Sequence, residues 1–232
     1  MFEALRLEIE KIVYTSSVAV LGKPKNGDIA HETTPVDITQ MIGHYKKSKF
    51  LAEQKVQSLC KEKKLPVVIV NPAAPVGPRD IKPTPTGKMV LDAASKKIPA
   101  YLDTGLNIVH VEDVAAGHIK AFNKGKIGES YNIGTGFIIN NLKLAQKIIK
   151  IYKSNFDKKK QKIKIEFVKD RPGHDFRYAL NSSKIKKKLG WKNLHNLNKA
   201  LIKTIEWYIK NPKFYGSKQR RKFDKRLGLI DD

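Results

Sequence analysis

Tyr45 and Lys49 have the residue types and the spacing of a proton-transfer pair. They lie four positions apart in the segment HYKKSKFLAE, which has the composition of a helix, so both side chains are expected on one helical face. A lysine ammonium beside a phenol favours the phenolate and lowers the tyrosine pKa from its usual value of about 10. A tyrosine tuned in this way can act as general acid and base near neutral pH. The alternative is an exposed pair without function, because a lysine-rich chain contains Tyr-x-x-x-Lys by chance.

A strand–helix–strand unit would place this pair at a ligand crevice. The β-branched segment KIVYTSS predicts a strand, residues 18–43 are rich in turn-forming types, residues 44–64 predict a helix, and VVIVN predicts a buried parallel strand. In a doubly wound sheet the carboxyl ends of the parallel strands line the crevice. The residues expected to converge there are Ser16, Ser17, Tyr45, Lys49, Asn71 and Pro72.

The rest of the chain predicts a continued alternation of strands and helices. Residues 1–10 carry apolar side chains at helical spacing, and the proline-rich segment 71–87 predicts a long loop without regular structure. Further helices are expected near 86–97, 113–123 with Asp113 as N-cap, 141–152 with Asn140 as N-cap, 182–189 closed by Gly190, and 197–210. Short strands are expected near 107–111, 130–133 and 163–168. This order predicts an α/β fold with a largely parallel sheet.

Composition limits the function classes. The chain has 232 residues, of which 41% are apolar, enough to bury a core. It contains no apolar run long enough to cross a membrane, and Met1 leads into a charged amphipathic segment rather than a signal peptide. Cys60 is the single cysteine, and the six histidines are scattered along the sequence. We therefore expect a cytoplasmic protein with no membrane span, no internal disulfide and no metal site.

The net charge of +24 is concentrated in residues 151–232. One interpretation is an anion-binding surface for nucleic acid, a membrane or phosphates. The other is a set of solvated lysine-rich faces. Lysine strongly outnumbers arginine, and few aromatic residues lie among the lysine runs. Because phosphate and base recognition favour arginine, this composition supports the second interpretation and makes nucleic acid an unexpected partner.

Several segments together resemble a known enzyme family. The segments VYTSSVAVLG, ETTP, HYKKSKFLAE, VVIVNPAAPVGPRDIKPTPTG and TGLNIVHVEDVAAGH resemble the extended short-chain dehydrogenases of the NAD-dependent epimerase/dehydratase family. Within that family, residues 1–150 are most similar to the hopanoid-associated sugar epimerases. The resemblance implies NAD or NADP as cofactor and a nucleotide sugar or a small carbonyl compound as substrate.

The same resemblance implies roles for the residues at the crevice. Tyr45 would be the acid/base at the substrate oxygen, and Lys49 would hold the nicotinamide ribose and tune the phenol. Ser17 would donate a hydrogen bond to the same substrate oxygen, with Ser16 the less favoured candidate. The loop that contains Asn71 and Pro72 would contact the nicotinamide and the substrate.

A second resemblance lies toward the C-terminus. The segment VKDRPGHDFRYALNSSKIKKKLGWK and the helix after it, within residues 160–210, are similar to the C-terminal part of the dTDP-glucose 4,6-dehydratases. This implies that Arg171 grips the substrate diphosphate, for which a guanidinium fork is well shaped, and that Asp175 helps to place the nucleotide. The alternative is an Arg–Asp turn that only braces the fold.

The sequence also departs from the family pattern. Dehydratases of that type carry an acidic pair just after the position of Ser17, where this chain has Val18 and Ala19. Elimination of water needs those acids, so an epimerase is favoured. A phosphate-gripping arginine of several epimerases is replaced here by Leu106. A reductase of a ketone or aldehyde, or a non-catalytic basic remnant that binds polyanions, are the alternatives.

The largest departure concerns the cofactor cradle. The family opens with a strand, a Gly-x-x-Gly-x-x-Gly turn and a helix, and this pattern is not found in the sequence. We therefore expect an incomplete, N-terminally truncated Rossmann-like doubly wound sheet with a smaller substrate lobe, and a homodimer or a complementing N-terminal half as partner. The expected division assigns 1–75 and about 106–135 to the Rossmann part, 76–105 and 136–215 to the substrate lobe, and 216–232 to a basic tail.

Overall fold

The protein is an alternation of helices and strands that forms three small sheets. The computed structural model describes residues 1–22, 24, 28–94, 97–100, 105–157, 163–167 and 179–212. The helices are α1 Phe2–Arg6, α2 His44–Lys63, α3 Pro85–Ala94, α4 Val111–Lys124, α5 Asn141–Asn155, α6 Ser183–Leu189 and α7 Leu197–Lys210. The strands are β1 Ile12–Thr15, β2 Val67–Pro72, β3 Ala74–Val76, β4 Lys97–Ala100, β5 Gly105–His110, β6 Ser130–Ile133, β7 Ile138–Asn140 and β8 Lys164–Phe167.

The sheet that carries the predicted crevice is parallel and has the order β1-β2-β6. Thr15 at the end of β1 pairs with Val70, and Pro72 at the end of β2 pairs with Ile133. The second sheet has the order β3-β5-β7, in which β5 and β7 are antiparallel. The third sheet is the parallel pair β4-β8. The prediction of an α/β fold with a largely parallel sheet is confirmed.

Alternating side chains of the first sheet face helices on its two sides. Val67 and Ile69 of β2 pack with the α2 residues Val56 and Leu59. Val68 and Val70, the alternate residues of β2, pack on the opposite side of the sheet, in a core shared with α4, α6 and Trp191. This period-two alternation explains why VVIV is apolar throughout, since both faces of the strand are covered.

A separate core lies between the second sheet and three helices. It is formed by buried side chains of α3, α5 and α7, including Val90, Leu144, Ile148, Leu201 and Ile205. Along α5 and α7 such positions recur every three or four residues, which gives each of these two helices one apolar face. The predicted division of the chain into a Rossmann part and a substrate lobe stays a prediction.

Several predicted elements need correction. The segment 71–87 is not free of regular structure, because Pro75 lies within β3, which pairs in parallel with β5. The N-cap of α4 is His110 and not Asp113: the His110 side chain accepts a hydrogen bond from the backbone of Glu112. The first helix ends at Arg6, because Glu8 adopts a positive φ of 51°. Asn140 is the N-cap of α5 as predicted, and Gly190 closes α6 in the left-handed conformation.

The loop between β3 and α3 is closed by hydrogen bonds around one carboxylate. The Asp80 carboxylate accepts from the backbone and hydroxyl of Thr84 and, at 2.8 Å, from the Tyr208 hydroxyl on α7. A Cβ added at Gly87 would lie 1.8 Å from Asp80 Oδ2 and 2.4 Å from the Tyr208 oxygen. A side chain at this position would therefore require the Asp80 carboxylate and the Tyr208 hydroxyl to move.

Among the helices in the described ranges, none combines the length and the apolar character needed to cross a membrane. The predicted ligands Arg171 and Asp175 lie outside the residues that the structure describes, as does the predicted basic tail 216–232.

Candidate functional site

The ends of β1 and β2 bring two of the predicted residues together. Asn71 is fully buried, and its side-chain Nδ2 donates to the backbone carbonyl of Ser17 at 3.4 Å and to the Glu53 carboxylate at 2.9 Å. Its Oδ1 is buried and has no hydrogen-bond partner within the described part of the chain. The strand register thus places Ser17 and Asn71 side by side, as the parallel βαβ unit predicts.

Helix α2 is fastened to the same strand ends by two side chains one turn apart. The Lys49 ammonium donates to the backbone carbonyl of Thr15 at 3.1 Å and lies 5.6 Å from the centre of the Tyr14 ring. Glu53, four positions later, accepts from Asn71 on β2 and from Gln57 on its own helix. Because one of these residues holds β1 and the other holds β2, the position of α2 over the sheet edge is fixed.

Glu53 also acts electrostatically on this part of the core. It is only 9% exposed, and its charge adds to burial in raising the pKa of Tyr14 above the usual value. A buried carboxylate is costly unless it accepts several hydrogen bonds. The amides of Asn71 and Gln57 supply two of them.

Tyr45 lies in the first turn of α2, and its side chain is 63% exposed. Its backbone carbonyl accepts from the Ser48 hydroxyl. Within the described residues its phenol makes no hydrogen bond to Ser17 or Lys49. The helix predicted to carry Tyr45 and Lys49 is present, and Tyr45 lies at its exposed surface.

The two serines differ in surroundings. The Ser17 hydroxyl is half-buried and accepts from the backbone of Ala19 at 3.1 Å, which caps the short 3₁₀ turn Val18–Val20. As an acceptor there, the hydroxyl keeps its own proton for another partner. Ser16 is 5% exposed, and its hydroxyl has no partner among the residues that are described. Ser17 is therefore the serine that is open to a ligand.

A cluster of titratable side chains lies elsewhere, where α4 begins. The rings of His110 and His195 are stacked, with centroids 3.9 Å apart and planes 19° from parallel. His195 Nδ1 lies 2.9 Å from Asp113 Oδ1, and its Nε2 lies 3.1 Å from Glu112 Oε2. Lys203 completes the cluster, with its ammonium 3.4 Å from His195 Nε2 and 3.6 Å from Glu112 Oε2.

Two of the histidines, though 85 positions apart in the sequence, lie together in the fold. One ligand atom each of His110, Glu112 and His195 lies within 4.8 Å of the others, a grouping of the kind that can hold a metal ion. The position beside Glu112 and His195 is, however, taken by the Lys203 ammonium, and His110 Nδ1 accepts from the backbone of Glu112. The arrangement is that of a lysine-bridged cluster. No spacing in the sequence reveals it, since its members come from the end of β5, α4, α7 and the segment between α6 and α7.

Two effects of this cluster follow from burial. The Asp113 carboxylate is 2% exposed and accepts from the backbone amides of Leu194 and His195, which ties this segment to α4. His110 is 1% exposed, and its burial, followed by the nearby His195, lowers the pKa of the His110 imidazole. A neutral His110 is the form that packs here.

Comparison with known proteins agrees with this architecture. The family model described as "NAD dependent epimerase/dehydratase family" matches residues 1–134. A putative dihydroflavonol 4-reductase of Synechocystis sp. is 44% identical over 135 residues, which cover 56% of this chain and 39% of that protein. The dTDP-D-glucose 4,6-dehydratase of Bos taurus is 32% identical over 206 residues, covering 88% of this chain and 57% of that protein.

A solved structure shows the same fold. The dTDP-glucose 4,6-dehydratase from Bacillus anthracis, in complex with NAD, superimposes with a TM-score of 0.78 at 29% identity, covering 91% of this chain and 67% of that one. The parallel sheet and the helices that cover it thus define an α/β protein with a Rossmann-like sheet. The chain belongs to the NAD-dependent epimerase/dehydratase family, as the motifs predict.

The likeness has two limits. The chain spans 39% and 57% of the lengths of the two curated relatives described above. The finer likeness to hopanoid-associated sugar epimerases stays a prediction.

Proposed function

We propose that this chain carries the proton-transfer centre of an NAD(P)-dependent nucleotide-sugar epimerase, formed by Ser17, Tyr45 and Lys49. The observation that carries the proposal is the fastening of α2, through Lys49 and Glu53, to the ends of β1 and β2. This contact supports the proposal because it ties α2, whose first turn carries Tyr45, to the strand ends, and ligands of doubly wound sheets bind at that edge.

Each of the three side chains has a distinct task in this proposal. Tyr45 takes the proton of the substrate hydroxyl as the carbinol carbon is oxidised, and returns it when the ketone is reduced. Lys49 would hold the nicotinamide ribose by donating hydrogen bonds from its ammonium to the ribose hydroxyls. Ser17 donates a hydrogen bond to the same substrate oxygen, since its hydroxyl proton stays available while its oxygen accepts from the backbone of Ala19.

NAD or NADP supplies the hydride acceptor and donor of such a reaction. The residues at the strand ends fit its nicotinamide end, because the buried Oδ1 of Asn71 has no partner in the described ranges and can accept an amide hydrogen. Pro72 follows in the same strand and is half-buried. We assign contact with the nicotinamide and the substrate to this pair.

A nucleotide sugar is the substrate class that the relatives' names support. The bovine and Bacillus anthracis proteins are both named as dTDP-glucose dehydratases. We assign the grip on the substrate diphosphate to Arg171, and placement of the nucleotide to Asp175. Epimerisation is favoured over dehydration because the turn after Ser17 holds Val18, Ala19 and Val20, which offer no acid for the removal of water.

A ketone or aldehyde reductase is the second candidate. It is favoured by one observation, the 44% identity over 135 residues to a protein named as a putative dihydroflavonol 4-reductase. The same trio serves reduction of a free ketone, with Tyr45 as the proton donor.

The test is a turnover assay with two arms. The purified chain, alone and co-expressed with the N-terminal half of a related epimerase that carries the glycine-rich turn, is supplied with NAD or NADPH. One arm contains UDP- and dTDP-sugars, and the other contains small ketones and aldehydes. We expect sugar epimerisation in the co-expressed sample.

The outcomes separate the candidates. Reduction of ketones without any change in the sugars would support the reductase instead. A folded, co-expressed sample that turns over neither class, but is retained on heparin in a salt-sensitive manner, would overturn both proposals and favour a polyanion-binding role.

A further inference from the structure

A threonine and a histidine form a hydrogen-bonded pair at the end of β1, on the side of the first sheet that α4 covers. The Thr15 hydroxyl oxygen lies 2.8 Å from Nε2 of His118 on α4. Val13 of β1 packs in the core that contains α4, whereas Tyr14 packs in the core that contains α2. Because side chains alternate along a strand, Thr15 projects on the α4 side, opposite the helix of the proposed proton-transfer centre.

The direction of this hydrogen bond follows from the other contact of the imidazole. Nδ1 of His118 lies 2.8 Å from the backbone carbonyl oxygen of Val114. A carbonyl can only accept, so Nδ1 carries the proton of the neutral ring and Nε2 is an acceptor. The Thr15 hydroxyl therefore donates its proton to Nε2, and the Val114 carbonyl holds the ring in this orientation.

The pair lies at the surface of the protein. Thr15 is exposed, whereas the next residue, Ser16, is 5% exposed. The Lys49 ammonium contacts the backbone carbonyl of Thr15 rather than its side chain. Within the described residues, His118 is thus the hydrogen-bond partner of the hydroxyl, and no donor contacts the lone pairs of the oxygen.

The backbone N–H of Thr15 is directed away from the sheet. Ile12 and Ser16 donate their backbone N–H groups to Pro66 and Val70, and alternate residues of a parallel strand face the same neighbour. The N–H of Thr15 therefore points to the outer edge of β1, where no strand within the described ranges pairs with it. In serine proteases, the backbone N–H of the nucleophilic residue itself helps to bind the oxyanion.

These contacts supply the parts of an activated hydroxyl nucleophile. Such a centre has a hydroxyl in hydrogen-bond contact with a base, a third group that orients the base, and a donor for the developing oxyanion. In this protein the base is His118, the orienting group is the Val114 carbonyl and the donor is the N–H of Thr15. A bond that only fastens α4 to β1 would have the same geometry but would confer no reactivity on the hydroxyl.

We propose that Thr15 is a nucleophile that accepts an acyl group from a small activated ester, with His118 as its general base. The Thr15 oxygen attacks the ester carbonyl carbon while its proton passes to Nε2 of His118. The bond between that carbon and the leaving oxygen then breaks, and the alcohol or phenol departs with the proton that His118 holds.

Hydrolysis of the acyl-threonine completes the cycle. Water attacks the acyl carbon, His118 takes the proton of the water, and the carbon–oxygen bond to Thr15 breaks. The carboxylic acid is released and the Thr15 hydroxyl is restored, so the sum of the two steps is ester plus water to acid plus alcohol. Nothing is oxidised or reduced, and the activity does not depend on the proposed hydride transfer.

The test uses the full chain with p-nitrophenyl acetate as the probe. Amines and other hydroxyls also react with this ester, so the measurement is the initial rate of acetylation of the peptide that contains Thr15, followed by mass spectrometry. Hydroxylamine should remove this acetyl group, because it cleaves esters and leaves lysine amides intact. We expect Thr15 to be acetylated at least about tenfold faster than Thr39, an exposed threonine that bonds Asp37 rather than a histidine.

Matched variants separate the roles of the two residues. In His118→Gln the side-chain amide oxygen can accept the hydrogen bond but cannot take the proton, and the rate at Thr15 should fall by about tenfold or more. Thr15→Val keeps the shape without the hydroxyl and should carry no acetyl group there, while Thr15→Ser should still be acetylated. His31→Gln changes an exposed histidine of the loop before α2 and should leave the rate at Thr15 unchanged.

Two results would overturn the proposal. One is acetylation of Thr15 in the folded wild-type protein that is no faster than acetylation of Thr39. The other is an undiminished rate at Thr15 in folded His118→Gln. Circular dichroism establishes the folding of each variant, and if His118→Gln fails to fold, the comparison of Thr15 with Thr39 in the wild type decides alone.

Discussion

The side-chain amide of Asn71 donates to the Glu53 carboxylate at 2.9 Å, across the interface between β2 and α2. Both groups are buried, so this bond is shielded from solvent. It lies one helical turn beyond the contact of Lys49 with Thr15, and the two contacts together hold the predicted catalytic helix against both strand ends.

Removing the Glu53 carboxylate should destabilise the protein. In Glu53→Ala the Asn71 amide stays buried and loses the nearer of its two acceptors, which costs about 1–3 kcal/mol. Glu53→Gln keeps an acceptor oxygen and should cost less. Urea denaturation of the two variants checks this, and equal stability of the wild type and Glu53→Ala would show that the bond contributes nothing.

Tyr45→Phe should leave the fold intact and remove activity. The side chain is 63% exposed, and substitutions at such positions change the free energy of unfolding by roughly 0.5 kcal/mol or less. Turnover should nevertheless fall to nearly nothing, with nucleotide affinity preserved, because the phenol acts on a proton and not on phosphates. Turnover equal to that of the wild type would refute the assignment.

Ser17→Ala should lower kcat by about 10- to 1,000-fold, the loss expected for one transition-state hydrogen bond. Ser16→Ala is the matched comparison and should have the smaller effect on rate, because the Ser16 hydroxyl is buried. Steady-state kinetics of the two variants decide between the serines. A larger loss of kcat in Ser16→Ala than in Ser17→Ala would assign the hydrogen bond to the substrate oxygen to Ser16 instead.

Arg171→Ala should weaken binding of a nucleotide sugar by about 2–3 kcal/mol, the range for a hydrogen bond to a charged group. Cofactor affinity should hardly change, since the guanidinium is assigned to the substrate diphosphate. Titration calorimetry with each ligand measures both effects. If both ligands are weakened alike, Arg171 braces the fold instead.

The sequence predicts much of this architecture because the pattern of apolar residues within a segment determines whether it forms a helix or a strand. The helix from His44 to Lys63 and the strand with VVIV follow from periodicity and burial on both faces. The sequence does not predict β3, because its prolines indicate a loop. Pro75 nevertheless lies in this short strand, which pairs with β5 about thirty residues later in the sequence. Its pairing is a tertiary effect that no local pattern carries.

For the candidate site, the sequence predicts the positions of some residues but not the contacts of others. Lys49 and Asn71 lie at the strand ends as expected, because a parallel βαβ unit brings those ends to one edge. Glu53 closes the motif HYKKSKFLAE, yet its bond to Asn71 depends on the exact height of α2 over the sheet. The stack of His110 on His195 joins residues with no shared periodicity, so only the packing of α4 against the segment before α7 reveals it.

His110 should make the stability depend on pH. Burial lowers the pKa of its imidazole in the folded protein, while the unfolded chain has the ordinary value of about 6.5. As the pH falls through and below that value, the unfolded state binds more protons than the folded state. The free energy of unfolding therefore decreases with acidification and is recovered above about pH 6.5.

The variant His110→Phe isolates this effect, because phenylalanine keeps the stacked ring but cannot titrate. We expect the difference in stability between pH 7.5 and pH 5.5, taken from urea denaturation at each pH, to be smaller in His110→Phe than in the wild type. His118→Phe retains His110 and should keep the wild-type difference. The same pH dependence in all three proteins would show that the buried imidazole is not its source. The source would then be carboxylates that accept hydrogen bonds in the folded state. Glu129 is one of them, because the Tyr131 hydroxyl and Lys184 lower the pKa of its carboxyl group.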